Sequence, residues 1–302
     1  MKRLIRVGTR KSDLAITQSN WVIDRIKEKY PQYEFELVGI TTKGDLILDR
    51  SLDKIGGKGL FIKELENALL NKSIDIAVHS MKDMPAELPH ELTIAAITKR
   101  EDPRDALVTL DGIRLQDLKE GAIVGTGSVR REVQLIKLRP DIKIKPIRGN
   151  VPTRINRLKE HEFDAIVLAM AGLNRLGLNN ETTQSIDVEE MVPAVAQGAL
   201  GIEARRGDEL EHLMEELNDN DSSLTVNAER AFLKRLNGSC SVPLGAYASI
   251  NGDRMRIYGM LAKEDKTGIT KAFVEGDKLE YNELGIKLAD ILSKGGEEKC
   301  MD

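Results

Sequence analysis

Residues 122–131 read Ala122-Ile123-Val124-Gly125-Thr126-Gly127-Ser128-Val129-Arg130-Arg131, an apolar run, a turn of small residues and then two arginines. The run is short enough for a buried strand, and the apolar spacing over 129–138 is that of a helix. The same grammar continues toward the carboxyl end, with a strand expected over 142–147, a helix over 151–159 and a strand over 165–169. Toward the amino end, a strand at 4–7 leads into a helix with Ser12 as N-cap and Ala15, Ser19, Val22, Ile26 and Tyr30 on one face, stopped by Pro31. A strand at 35–40, a helix at 60–70, a buried strand at 74–78 and a strand at 93–97 complete this half. Such alternation predicts βαβ units and a largely parallel sheet.

The charged stretch 99–105 and the interruption at 191–198 are the expected crossings between two α/β lobes. Segment 44–59 carries four glycines among charges and is expected to be a mobile loop, and the tail 294–302 to be frayed. From about Ser222 the pattern changes to a helix at 224–236, strand-like runs near Ala246, Met255 and Ala272, and a last helix from Tyr281. The expected division is therefore 1–98 with 199–217, 103–193, and a small α+β domain over 220–302.

Bulk composition excludes several classes of function. The chain has 302 residues, 41% hydrophobic and 31% charged, with a net charge of −4, so overall charge gives a nucleic-acid partner no support. No run approaches the roughly 18 apolar residues of a membrane span, and the first residues do not read as a secretory signal. Two cysteines, Cys240 and Cys300, are too few for a disulfide framework, and His79, His90, His161 and His212 show no metal-ligand spacing. The expected setting is a reducing cytosol, with no metal.

Positive residues gather where ligands of α/β folds bind, at the carboxyl ends of strands. Arg10 follows the first strand, Arg130 and Arg131 open a helix after the Gly-Thr-Gly-Ser turn, Arg148 ends a strand and Arg154 lies in the helix after it. The turn offers backbone N–H donors and Ser128, and the arginines offer bidentate carboxylate recognition. Taken singly, each arginine reads first as a solvated residue or one paired with a nearby acid; jointly they point to an anion-lined cleft. No Walker sequence is present. Asp83 sits after the buried strand at 74–78, between Lys82 and the proline-fixed turn at Pro85, placed either to handle protons or to cap its own turn. Cys240 lies in the small-residue turn Asn237-Gly238-Ser239-Cys240-Ser241, a setting for a nucleophile or attachment point.

These residues, together with 57–66, 79–85, 100–106, 125–131, 147–154, 171–177, 193–201 and 240–246, resemble the porphobilinogen deaminase family in order along nearly the whole chain. The resemblance implies two lobes like type II periplasmic binding proteins and a third domain bearing a cofactor cysteine. It implies a dipyrromethane cofactor in thioether linkage to Cys240, catalysis by Asp83, and cofactor binding by Lys82, Ser128, Arg130, Arg131 and Arg154. Arg10, Ser12, Phe61, Arg148, Arg175 and Gln197 are implied to bind substrate, which would be porphobilinogen. A cytoplasmic monomer with no membrane or nucleic-acid partner is expected. Ala196 stands where the family usually has glycine, Gly127 where serine is usual, and Gly238-Ser239-Cys240-Ser241 where Gly-Gly-Cys-Gln is commoner. The rival reading is a two-lobed binding module for a small polycarboxylate, which leaves Asp83 and Cys240 without a role.

Overall fold

The computed structural model describes residues 3–46, 61–236, 243–263, 265 and 268–295. In chain order the elements are β1 (Arg3–Arg10), α1 (Asp13–Lys29), β2 (Tyr33–Ile40), α2 (Lys43–Leu46), α3 (Lys63–Leu70), β3 (Ile76–Ser80), β4 (Leu92–Ile97), β5 (Asp105–Val108), β6 (Ile123–Gly125), α4 (Val129–Leu138), β7 (Lys143–Lys145), α5 (Val151–Lys159), β8 (Ala165–Ala169), α6 (Met170–Arg175), β9 (Gln184–Ile186), β10 (Leu200–Arg205), α7 (Glu209–Glu215), α8 (Asn220–Arg235), β11 (Leu244–Asn251), β12 (Arg254–Ala262), β13 (Ile269–Asp277) and α9 (Tyr281–Ser293). Packing divides the chain into two units, 1–100 with 199–223 and 101–198 with 224–302. No helix among the described residues is long and apolar enough to cross a membrane.

The first unit is a five-stranded sheet in the order β2-β1-β3-β10-β4. β1 runs parallel to β2 and β3, whereas β10 is antiparallel to both β3 and β4. The expected parallel sheet is thus mixed. Parallel neighbours need a crossover connection, usually a helix, and the segment leading from 198 into β10 carries none. Ser12 starts α1 by accepting the Ala15 N–H at 3.3 Å, and Asp13 in the first turn and Lys27 and Lys29 in the last suit the helix dipole. Val22, Ile23 and Ile26 of α1 pack on Ile5, Val7, Ile76 and Val78 on one side of the sheet. Leu65 and Leu69 of α3 pack with Ala77 and Leu92 on the other. Each such side chain stabilises the fold by about 1.5–3 kcal/mol on full burial. Of the expected loop at 44–59, Gly44 to Leu46 belong to the short helix α2, and the remainder lies outside the described residues.

The second unit holds two sheets. The larger has the order β7-β6-β8-β5-β9, with β6 parallel to β7 and β8, and β5 antiparallel to β8 and β9. The smaller is the antiparallel meander β11-β12-β13. Gly259 and Gly276 let α9 approach this meander, because a Cβ at either would come within 2.8 Å of Leu288 or 2.6 Å of Leu284.

At the return crossing, Ala196 is fully buried with φ at +60°. Its N–H donates to Glu229 Oε2 at 2.6 Å, and Glu229 Oε1 accepts the Ala248 N–H at 2.8 Å. The left-handed conformation costs an L-residue about 1–2 kcal/mol; glycine removes that cost and returns about 0.4–1 kcal/mol as unfolded-state entropy. Ala196→Gly is therefore expected to stabilise the protein by about 0.5–1 kcal/mol in chemical denaturation. A clear loss of stability would show that packing of the Ala196 methyl outweighs the backbone strain.

Candidate active site

In the first unit, β1 and β3 deliver their last residues to one edge of the sheet. Arg10 ends β1 and pairs with Asp45 of α2, which also accepts the Thr42 N–H at 3.1 Å and the Thr42 hydroxyl at 2.7 Å. Burial alone would raise the Asp45 carboxyl, but hydrogen bonds from Arg10 and Thr42 hold it below the usual carboxylate range. The Arg10 guanidinium stacks on Phe61, with Cζ 4.1 Å from the ring centroid. Gly44 permits that ring position, since any Cβ there would collide with it. Asp45 and Phe61 thus hold Arg10 in place within its own unit. Ser12 uses its oxygen as the cap of α1, leaving its hydroxyl hydrogen to donate.

A single 3₁₀ turn, Met81–Asp83, follows β3. Met81 and Met84 are buried on either side of it, so Lys82 and Asp83 are turned outward and exposed. Among the described residues the Asp83 carboxylate takes part in no hydrogen bond or ion pair. The turn-capping reading is therefore not met, because such an aspartate would accept a backbone N–H here.

In the second unit, the carboxyl ends of β6, β7 and β8 lie at the edge where β5 begins. Arg130 and Arg131, in the first turn of α4, are only 6% exposed each and both reach Asp105, the first residue of β5. Arg130 Nη1 donates to Asp105 Oδ2 at 2.7 Å and to Val192 O at 2.7 Å. Arg131 donates through Nη2 and Nε to Asp105 Oδ1 at 2.8 and 3.1 Å, and through Nη1 to Val167 O at 2.8 Å. Burial works to raise the Asp105 carboxyl, yet the two guanidiniums hold it far below its ordinary range. Gln197 donates to the same Oδ1 at 2.9 Å and to Pro103 O at 2.8 Å. Much of the hydrogen bonding of Arg130, Arg131 and Gln197 is therefore spent inside the unit. The stretch 99–105, read as a crossing, ends in a buried counter-ion; only the adjacent apolar run Ala106-Leu107-Val108 signalled it.

Arg148 and Arg154 are placed differently. Both are half-buried, and neither makes an ion pair among the described residues. Arg154 donates only to Gly149 O, at 2.8 Å, and its pKa is pulled down to about 10 by burial and then by repulsion from Arg131 and Arg148. Gly149 is required beside it: φ is +109°, and a Cβ would come within 2.7 Å of Thr153. Asn150 caps α5 through the Thr153 N–H at 2.9 Å. Ser128 stands at the N-cap of α4 without capping it, so its hydroxyl is available. Arg175 donates to Gly198 O at 2.6 Å and is pulled down to about 10 by burial, against the pull of Glu101. Among the described residues no group of His, Cys, Asp and Glu is arranged to hold a metal. Cys240 and Cys300 lie outside the described residues.

These features define a class: an α/β protein with partly buried, unpaired arginines at strand ends and an exposed aspartate at the end of a buried strand. Two family models match the chain, "Porphobilinogen deaminase, dipyromethane cofactor binding domain" over residues 5–212 and "Porphobilinogen deaminase, C-terminal domain" over residues 223–294. Porphobilinogen deaminase of Oceanobacillus iheyensis is 51% identical over 302 residues, covering 99% of this chain and 97% of that protein. The Alkaliphilus metalliredigens protein of the same name is 48% identical over 301 residues, covering 99% and 95%. Among solved structures, the periplasmic VFT2 domain of Bordetella pertussis BvgS aligns at 14% identity with a TM-score of 0.42, covering 76% of this chain and 92% of that one, a likeness too distant to carry weight. The chain belongs to the porphobilinogen deaminase family.

The two kinds of arginine respond differently to removal. Arg131→Leu or Asp105→Asn breaks a buried ion cluster and is expected to cost about 3–5 kcal/mol of stability. Arg154→Leu removes a positive charge with no acid partner, so the apo protein is expected to melt no lower than wild type while polycarboxylate affinity falls about ten- to a hundredfold. Thermal melts and equilibrium binding separate the two outcomes.

Proposed function

We propose that this chain is a cytoplasmic, monomeric hydroxymethylbilane synthase, a transferase. Four porphobilinogen molecules are deaminated and joined head to tail into a linear tetrapyrrole on a dipyrromethane primer attached to Cys240. The proposed domains are 1–98 with 199–217, 103–193, and 220–302. The observation that carries the reading is Arg154, a partly desolvated guanidinium with other arginines beside it and, among the described residues, no acid to pair with. Such a charge is stabilised by a ligand bearing carboxylates, and each pyrrole of substrate and primer carries acetate and propionate arms.

The donors of the second unit suit such arms: Arg154 and Ser128, with the outer edges of Arg130 and Arg131, would hold those of the primer, and Lys82 of the first unit is assigned to the primer by the family resemblance. When bound, the dipyrromethane group would supply the free α-carbon for the first addition, each later pyrrole being joined to the one added before it. Arg10, Ser12, Phe61, Arg148, Arg175 and Gln197 are assigned to the incoming substrate. Their contribution is orientation: arms fixed by bidentate pairs turn an encounter into a positioned reaction. Asp45 and Phe61 hold Arg10, and Asp105 holds Arg130 and Arg131, so less order has to be imposed when the carboxylates arrive.

Asp83 is assigned the chemistry. Loss of ammonia from porphobilinogen requires a proton on the leaving amine and leaves a delocalised cation. A carboxylic acid close to the pyrrole nitrogen gives that proton, and its ionised form stabilises the cation and then accepts the proton released from the new bond.

Asp83→Asn keeps size and part of the hydrogen bonding while removing both the proton and the charge. Single-turnover ammonia release by folded, primer-loaded Asp83→Asn protein is expected to fall about 10²–10⁴-fold or more. Asp83→Glu should retain part of the rate. A rate for Asp83→Asn within about threefold of wild type would assign the work to another group.

A further inference from the structure

β10 grips the carboxyl end of β3 through three separate contacts, all within the first unit. The Met81 N–H donates to Ala199 O at 3.0 Å. The buried Met81 side chain lies over Gly201, where any Cβ would collide with its sulfur. His79 Nε2 meets Glu203 Oε2 at 2.9 Å, with side-chain exposures of 4% and 0%. The register accounts for the last pair: Gly201 is opposite His79 and Glu203 opposite Ala77, which puts Glu203 diagonal to His79 on the same sheet face.

This pair is expensive. Glu203 Oε1 is buried and has no hydrogen-bond partner among the described residues, and leaving a buried acceptor unsatisfied is destabilising, more so when it is charged. On the facing helix α3, Glu66 adds a second acid: its carboxyl is raised by burial and then by Glu203, against the pull of His79 and Lys63. Packing alone does not call for such a cluster, because apolar residues of similar volume commonly stabilise a core as well or better than a buried ion pair. What a directional pair adds is fixed geometry.

We propose that His79 and Glu203 are positioning residues, whose buried pair fixes the end of β3 against β10 and so holds the Asp83 carboxylate where the reaction needs it. Asp83 follows His79 by four residues, with Met81 anchored between them. The Glu203 side chain acts on the reaction through β3 alone and need not touch substrate. The proposal rests on the assignment of the chemistry to Asp83.

The test compares His79→Leu, His79→Gln and Glu203→Gln with Asp83→Asn, each checked for primer loading by intact mass and for folding by thermal melt. His79→Leu and Glu203→Gln are expected to lower kcat for ammonia release about 10- to 100-fold with KM within about threefold of wild type, because slight misplacement of a catalytic group falls on kcat. His79→Gln, which restores a donor near the Nε2 position, should recover most of the loss. Wild-type kcat in folded, loaded His79→Leu and Glu203→Gln, with Asp83→Asn inactive, overturns the positioning role while leaving Asp83 in place. Full activity of Asp83→Asn instead overturns the assignment on which the proposal stands. If the variants do not fold, hydrogen exchange in the wild-type enzyme decides: the Met81 amide should exchange as slowly as those of the β3 core, and fast exchange there overturns the proposal.

Discussion

Asp105 is a carboxylate without exposed surface that survives only because two guanidiniums reach it from one turn of helix. The dependence is mutual, since Arg130 and Arg131 would otherwise be cations carried into the second unit with no counter-charge there, only the carbonyls of Val192 and Val167, to offset their desolvation. Two guanidiniums against one carboxylate leave a unit of positive charge, and Arg148 and Arg154 add to it, with no acid paired to either among the described residues. The electrostatic character of this edge of the sheet follows from that imbalance. The internal acid orients part of the positive charge, and the remainder is what the proposed function assigns to carboxylate ligands.

The same economy operates separately in the first unit. Arg10 is held by Asp45 and stacked on Phe61, and the turn bearing Asp83 is pinned by buried methionines and by the contacts of β10. Among the described residues Asp83 itself has no partner. Groups assigned to orient ligands are thus restrained by neighbours, while the group assigned to proton transfer keeps its oxygens available. Preorganisation of this kind reduces what binding must spend on ordering side chains and directs it to the reacting centre.

Much of this architecture was legible in the residues. Helices 129–138 and 151–159 and strand 165–169 fall where the apolar spacing puts them, because amphipathic period and capping residues are local signals. β5, β9 and β10 were not foreseen. β5 has four residues and opens inside a charged stretch, β9 has three, and β10 pairs antiparallel with strands more than a hundred positions earlier in the chain. For the site, the positions of Arg10, Asp83 and Arg130 at strand ends could be read directly. That Asp105 neutralises two of the arginines could not, since partner choice between an internal acid and a ligand is settled only by tertiary packing. The family resemblance supplied what periodicity could not, namely the cofactor and the role of Cys240.

The central claim is that the unpaired arginines exist to hold a pyrrole primer built from substrate and bonded to one cysteine. Intact mass of the purified protein tests it most directly, with wild type and Cys240→Ser measured side by side. Wild type should be heavier than its polypeptide by two deaminated porphobilinogen units and gain further units stepwise on addition of substrate, whereas Cys240→Ser should run at the bare polypeptide mass. An active wild-type enzyme at the unmodified mass, or an adduct that persists in Cys240→Ser, would contradict the account.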